Sequence, residues 1–286
     1  MSTYRQLYLQ ARGALAQGGV EGPGTDAALL CRHFFSLDRP GLAVHGDEEC
    51  PGPQEQAFLQ AVGERAARRP LQYILGRWGF MGLELRVGEG VLVPREDTAV
   101  LVEALARLLA GNPAPVGLDL CAGTGAVGLG LCSLRPGAAA TCVELAPQAM
   151  GYLEENLAAH PQYRARALQG DIFDPALPGA FPGGLDFIAS NPPYIAQGQL
   201  PGLQPEVQRE PALALDGGPD GLDFYRAIMA LWAPLLRPGG ALGVEIGEEQ
   251  GAAVCGLLHE AGFCQITLHR DWAGLPRAVT GRRGQN

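Results

Sequence analysis

No lysine occurs in the chain. All 21 basic residues are arginine, set against 30 aspartates and glutamates, for a net charge of -9. Residues 1–70 carry 7 basic and 8 acidic side chains, leaving 14 and 22 for the remainder, so the acidity belongs to the larger C-terminal part. A general duplex-DNA binder presents a basic face, and this balance argues against one. The seven cysteines include no C-x-x-C pair, so neither a zinc site nor a disulfide framework is suggested. The five histidines show no ligand-like clustering, and no metal is expected. The opening "MSTYRQLYLQ" has no signal-peptide character and no apolar run approaches a membrane span, so a cytoplasmic protein without a membrane segment is expected. Internal repeats and long low-complexity tracts are also missing. What remains, at 286 residues, is apolar material for one large domain or one with a small partner.

Residues 1–70 read as short helices separated by Gly/Pro breaks. "TYRQLYLQARGALAQ" puts Leu7, Ala11, Ala14 and Leu15 on one stripe, "TDAALLCRHFFSL" offers Thr25 as an N-cap, and "PQEQAFLQAVGERAARR" continues the pattern. Nothing in this part suggests chemistry, which leaves a recognition module or simple ballast. From Pro70 the texture changes: "LQYILGRWGFMGLELRVGEGVLVP" alternates apolar and polar residues between glycines, predicting a β-hairpin linker over 71–93. "REDTAVLVEALARLLAG" returns to helical spacing and opens a third part, 94–286. There "VGLDLCA", "ATCVELA", "ARALQGD", "LDFIASN", "GALGVEIG" and "FCQITLHRD" alternate with helices, which predicts a doubly wound α/β domain with a parallel sheet.

"GLDLCAGTGAVGLGL" is strand, tight turn, then helix. Gly123, Gly125 and Gly128 match G-x-G-x-x-G, and Glu144 follows about 20 residues on, at the end of the next strand. Glycines let the backbone approach a ligand, and a carboxylate at that distance can hold two ribose hydroxyls. A nicotinamide dinucleotide and S-adenosylmethionine both need those features, and the loop alone does not choose between them. Two later segments do. "ALQGDIFDP" puts Asp171 after the third strand, where its carboxylate can accept from an adenine amino group while Ile172 covers the ring. "DFIASNPPYIAQ" ends the fourth strand on Asn191, Pro192, Pro193 and Tyr194, at the sheet edge where ligands of such folds sit. Proline lacks an N–H and stiffens its predecessor, so these residues form a rigid bracket whose carbonyls have no intra-strand partners. Hydride transfer has no use for that bracket; methylation of a planar nitrogen does.

Glycine loop, Glu144, Asp171 and Asn-Pro-Pro-Tyr, in this order, resemble an amino-type methyltransferase using S-adenosylmethionine. "RRPLQYILGRWGFMGLELRV", "VLVPREDTAVLVE", "REPALALDGGPDGLDFYRAI", "GVEIGEEQ" and "GLPRAVTGR" narrow the likeness to the HemK/PrmC family of protein-(glutamine-N5) methyltransferases, over roughly residues 70–283. The resemblance implies a Rossmann-like fold with a seven-stranded, mostly parallel sheet and an N-terminal helical substrate-recognition domain. It implies S-adenosylmethionine as cofactor, held by Cys121, Ala122, Gly123, Thr124, Gly125, Glu144, Asp171, Ile172 and Asn191. The implied partner is a peptide chain release factor, with methyl transfer to the glutamine of its Gly-Gly-Gln motif. Asn191 Oδ1 and a carbonyl of Pro192 or Pro193 would accept from the two amide hydrogens, Tyr194 would form a flat wall, and Arg95 would orient substrate at a helix start, a surface ion pair being its competing role. Gln72, Tyr73 and Glu245 are weaker site candidates, each with packing as the alternative. Two departures stand out: Ala122 where the family often has Thr or Gly, and Ala99 where many members have Glu. Action as a monomer without specific nucleic-acid binding is expected. The rival activity is adenine-N6 methylation of DNA, which needs base flipping and a basic phosphate track.

Overall fold

A computed structural model describes residues 2–285. They form two compact units: one takes the residues up to Arg77 together with Gln204–Arg209, the other takes Trp78–Leu203 and the residues from Glu210 onward.

The first unit is helical, with α1 (Tyr4–Gln17), α2 (Pro23–Phe35), α3 (Arg39–His45), α4 (Gly52–Ala66) and α5 (Leu71–Leu75). Thr3 starts α1 through a reciprocal capping box with Gln6, and the stripe Leu7, Ala11 and Leu15 is fully buried. Ala14, expected on that stripe, is only partly buried. Helix α2 does not begin at Thr25. Pro23, its φ already helical, enters first behind a left-handed Gly22, which leaves Thr25 inside the helix. Phe35 and Phe58 meet in the core at 4.7 Å between ring centroids. Leu71–Leu75, expected to begin the hairpin, are helical: Leu71 turns into the helical core and Gly76, at φ 71, ends the segment. The buried Arg65 bridges Asp26 at 2.7 Å and Glu206 at 2.8 Å, while Arg68 holds the same Glu206 at 2.5 Å. Segment 204–209 thereby belongs to the helices although the chain reaches it from the sheet.

The second unit opens with a hairpin of β1 (Arg77–Phe80) and β2 (Leu83–Arg86). Met81 and Gly82 both have positive φ, as a tight two-residue turn of this hand requires. Then follow α6 (Ala99–Leu108), β3 (Val116–Leu120), α7 (Ala126–Leu134), β4 (Ala139–Glu144), α8 (Pro147–Ala159), β5 (Arg164–Gln169), β6 (Leu185–Ser190), α9 (Asp223–Ala227), β7 (Leu236–Glu245), α10 (Gly251–Glu260), β8 (Phe263–Arg270) and β9 (Pro276–Arg283). The seven strands lie in the order β5-β4-β3-β6-β7-β9-β8, all parallel except β9. The central strands are apolar on both faces because helices cover both: Leu101, Leu105 and Leu129 pack in one core cluster, Ile228, Trp232 and Leu258 in the other. The chain leaves β3 for β4 and β5, then returns to place β6 on the other side of β3, so the crevice for a ligand opens beyond Leu120 and Ser190, which are in register. Among the described residues no helix is long and apolar enough to cross a membrane.

Candidate active site

Beyond the C-terminal ends of β3 to β6 lies a cavity of about 270 Å³. Its floor is the turn after β3. Cys121 takes a left-handed φ of 58° despite its Cβ, and Gly123 and Gly125 follow with φ of 56° and 82°. Gly128 serves a different purpose: a Cβ there would meet Cys142 Sγ at 2.7 Å, so this glycine lets α7 lie close on the sheet. Asp119 accepts from Gly128 N–H at 2.8 Å beneath the turn, and burial pushes its carboxyl up to about 7.

Glu144 ends β4 with both carboxylate oxygens held, Oε2 by Gly123 N–H and Oε1 by Ala146 N–H, each at 2.8 Å. Its remaining lone pairs face the cavity it lines. Asp171 and Ile172 follow β5 and also line the cavity. Their loop is pinned twice: Phe173 N–H donates to Asp171 Oδ1 at 2.9 Å, and Trp232 Nε1–H donates to the Ile172 carbonyl at 2.9 Å. Among the described residues Glu144 and Asp171 are the only charged ones on the cavity wall.

Asn191 follows β6 and lines the cavity together with Pro193. Its Nδ2 donates to Thr98 Oγ1 at 3.3 Å, leaving Oδ1 without a donor among the described residues. Among the described residues the carbonyls of Pro192 and Pro193 accept no hydrogen bond. The other two members of the bracket are turned away from the cavity. Pro192 is buried. Tyr194 packs into the core cluster beside Ile246, with Oη 3.5 Å from Glu245 Oε1 and its carbonyl held by Gln250 Nε2 at 2.8 Å. Tyr194 thus packs against the core and does not line this cavity.

Of the residues expected to hold cofactor, Cys121, Ala122, Gly123 and Thr124 line the cavity; Gly125 does not, and instead caps α7. Arg95 is also absent from the wall. It precedes the turn Glu96–Thr98 that leads into α6, and its guanidinium is ion-paired with the buried Glu210, which also accepts from Val93 N–H at 3.0 Å. Arg95 thus makes an ion pair with a buried carboxylate while its own side chain stays partly exposed. Gln72 and Tyr73 lie in α5 and do not line the cavity. Among the wall residues missed by sequence reasoning are Val91, Leu92, Thr98, Phe173, Leu213 and Phe224. Apolar residues carry no chemical signature, and Thr98 could have been singled out only by knowing that it meets Asn191.

Family models describe the two units separately. The PrmC N-terminal domain matches residues 6–76 and the Methyltransferase small domain matches residues 96–205. A release factor glutamine methyltransferase of Moorella thermoacetica is 41% identical over 287 residues, covering 98% of this chain and 99% of the relative. That of Geobacter sulfurreducens is 41% identical over 284 residues, covering 99% and 97%. The crystal structure of a methyltransferase from Pyrococcus furiosus superposes with a TM-score of 0.51 at 15% identity, covering 82% of this chain and 100% of that one, a likeness of fold.

Proposed function

The chain belongs to the release factor glutamine methyltransferase family, and from that premise we propose that it methylates the glutamine side-chain nitrogen (N5) in the Gly-Gly-Gln motif of peptide chain release factors, with S-adenosylmethionine as donor. The supporting observation is the charge of the cavity. Its only ionic residues are Glu144 and Asp171, so the potential inside suits a cationic sulfonium and opposes a pyrophosphate. A dinucleotide would also need the backbone N–H groups of the glycine turn, and Gly123 N–H is already taken by Glu144. Bound S-adenosylmethionine supplies an electrophilic methyl group. Glu144 would hold the ribose hydroxyls, Asp171 the adenine amino group, and Ile172 the ring face.

An amide nitrogen is a poor nucleophile because its lone pair is delocalised into the carbonyl. No strong base lines the cavity, so positioning and electrostatics have to lower the barrier. Asn191 Oδ1 accepts one amide hydrogen of the substrate, and a free carbonyl of the proline pair accepts the other. Together they orient the nitrogen and favour charge on it as the new bond forms. Adenine-N6 methylation could use the same two acceptors. It would also need cations for the phosphates, and Arg95, the arginine that the resemblance placed at the substrate, is ion-paired with Glu210. The helical unit is proposed to bind release factor surface outside the reacting loop, since one glutamine offers little area for selection.

Labelled S-adenosylmethionine offered with a purified release factor and, separately, with duplex DNA tests this directly. Label is expected on the release factor glutamine; label on adenine alone would overturn the assignment.

A further inference from the structure

The large hydrophobic side chains left exposed in the sheet unit are unevenly placed. Val116, which begins β3, and Leu134, which ends α7, sit at the edge away from the cavity. The others lie on the C-terminal edge of the sheet. Leu145, Phe173 and Leu213 line the cavity, while Trp272 and Leu275 belong to the turn joining β8 to β9. Trp272 is fully exposed, at 105%, and Leu275 is 40% exposed. Single apolar residues on a surface need no explanation, but an apolar rim continuing outward from a cavity marks a binding surface.

The turn displays its indole rigidly. Asp271 Oδ1 accepts from the N–H groups of Ala273 and Leu275, each at 2.9 Å, and Asp271 N–H donates to the Leu275 carbonyl at 2.9 Å. At the foot of β9, Arg277 reaches Asp271 at 2.8 Å and Asp97 at 3.4 Å, and Asp97 immediately precedes the cavity residue Thr98. The Arg277 carbonyl accepts from Ile246 N–H at 2.9 Å. The turn and the cavity wall thus share one framework, and a side chain held this way loses little freedom when a partner covers it.

Distance and charge narrow the occupant. Strand β8 is three places from β6, the strand that ends at Asn191. With strands about 4.8 Å apart, the turn stands roughly 15 Å from the bracket. Extended chain advances at most about 3.3–3.6 Å per residue, so roughly four or five residues beyond the reacting one reach it. A lone glutamine does not. The same edge exposes Glu96, Asp97, Glu248 and Glu249, against the exposed Arg270, which donates to the Gly274 carbonyl at 2.7 Å. Such a surface opposes phosphates and favours a basic protein.

We infer that the β8–β9 turn is a docking anchor: Trp272, with Leu275 on the same turn, seats against a basic and apolar patch of release factor surface flanking the reacting loop. This role presupposes the release factor methyltransferase reading of the cavity. It gives the catalytic unit its own means of selecting the intact protein.

Trp272→Ala should raise KM for intact release factor about 10-fold or more, as for loss of an aromatic anchor, with kcat and cofactor Kd within about twofold. KM for a capped Gly-Gly-Gln peptide, too short to reach the turn, should stay unchanged. Trp272→Phe should recover most of the affinity. KM for release factor should rise with salt in the wild type, and Glu248→Gln combined with Glu249→Gln should flatten that rise. Binding is read without turnover by fluorine NMR of 5-fluorotryptophan-labelled enzyme carrying the demethylated cofactor product. The Trp272 resonance, identified by its loss in Trp272→Phe, should shift when release factor is added. A resonance that stays in place, or equal KM increases for protein and peptide, would overturn the anchor. So would a shift produced only by concentrating the enzyme, which assigns the turn to a second copy, or only by anionic lipid vesicles. A salt-independent KM would overturn the basic character of the partner surface. Should the release factor glutamine remain unlabelled while the resonance still shifts, the functional assignment falls and the docking surface stands.

Discussion

Two glutamates, one half-buried in the helical unit and one buried in the other, have been driven in opposite directions. Glu206 in the helical unit loses solvation, but Arg65 and Arg68 both hydrogen-bond it, and the balance pulls its carboxyl down to about 2. Glu245 at the sheet edge is held only loosely, with one oxygen unpartnered, and burial pushes it up to about 7. The first arrangement is what a structural ion pair requires: cations at contact distance repay desolvation. The second leaves polar capacity unsatisfied at the strand end that contacts Tyr194, and stability is sacrificed there. The helices are closed over their charges, whereas the sheet edge keeps acceptors in reserve.

If that contrast is functional, the largest effect should come from the free acceptor itself. Asn191→Ala is expected to lower kcat about 100-fold or more, corresponding to roughly 2.7–4 kcal/mol for one preorganised contact to a developing charge. Cofactor affinity should barely change, and single-turnover transfer with parallel cofactor titration separates the two. Asn191→Ala at the wild-type rate would reduce the bracket to a strand-ending turn.

Next is the ion pair that should carry stability and no chemistry. Glu206→Gln removes the carboxylate that Arg65 and Arg68 share, although Arg65 keeps Asp26, and should cost about 1.5–3 kcal/mol of unfolding free energy by denaturant titration. Its folded carboxyl titrates near 2 against 4.5 in a free chain, so the stabilisation is present above about pH 4.5 and is lost as pH falls toward 2. Over that window the variant should show the shallower loss of stability on acidification.

Glu144→Ala addresses an acceptor that is both tied down and functional. It should weaken S-adenosylmethionine binding by about 1.5–3 kcal/mol, as for hydrogen bonds to a charged acceptor, measured by calorimetry. The smallest expected effect has the opposite sign. Glu245 prefers its proton in the folded state, so it destabilises progressively as pH rises from 4.5 through about 7. Glu245→Gln should therefore raise the unfolding free energy at pH 8 by about 1 kcal/mol. Lower stability in that variant would erase the distinction between the two glutamates.

Much of the fold was legible residue by residue. Apolar runs bounded by glycine, such as 116–120 and 185–190, are buried parallel strands because both sheet faces are covered. Strand β9 escaped notice because Pro276, three arginines and Gly281 disguise a segment that pairs on both sides. At 71–75 alternating apolar residues suggested a strand, but Pro70 ahead and Gly76 behind bound one short helix, and Leu71 finds its partners in the helical core.

By itself the sequence determined the glycine turn, whose backbone shape needs residues that tolerate positive φ, and the order of Glu144, Asp171 and Asn191 at successive strand ends. Those features are local, or follow from an alternation of strands and helices that can wind only one way. The partners of the site were decided by tertiary structure alone. Asn191 meets Thr98 across 93 residues, Tyr194 meets Glu245 across 51, and Arg95 meets Glu210 across 115. Each pair exists because strand order brings two loop ends to the same edge of the sheet, and periodicity within a segment carries no information about which distant side chain will share its desolvated space.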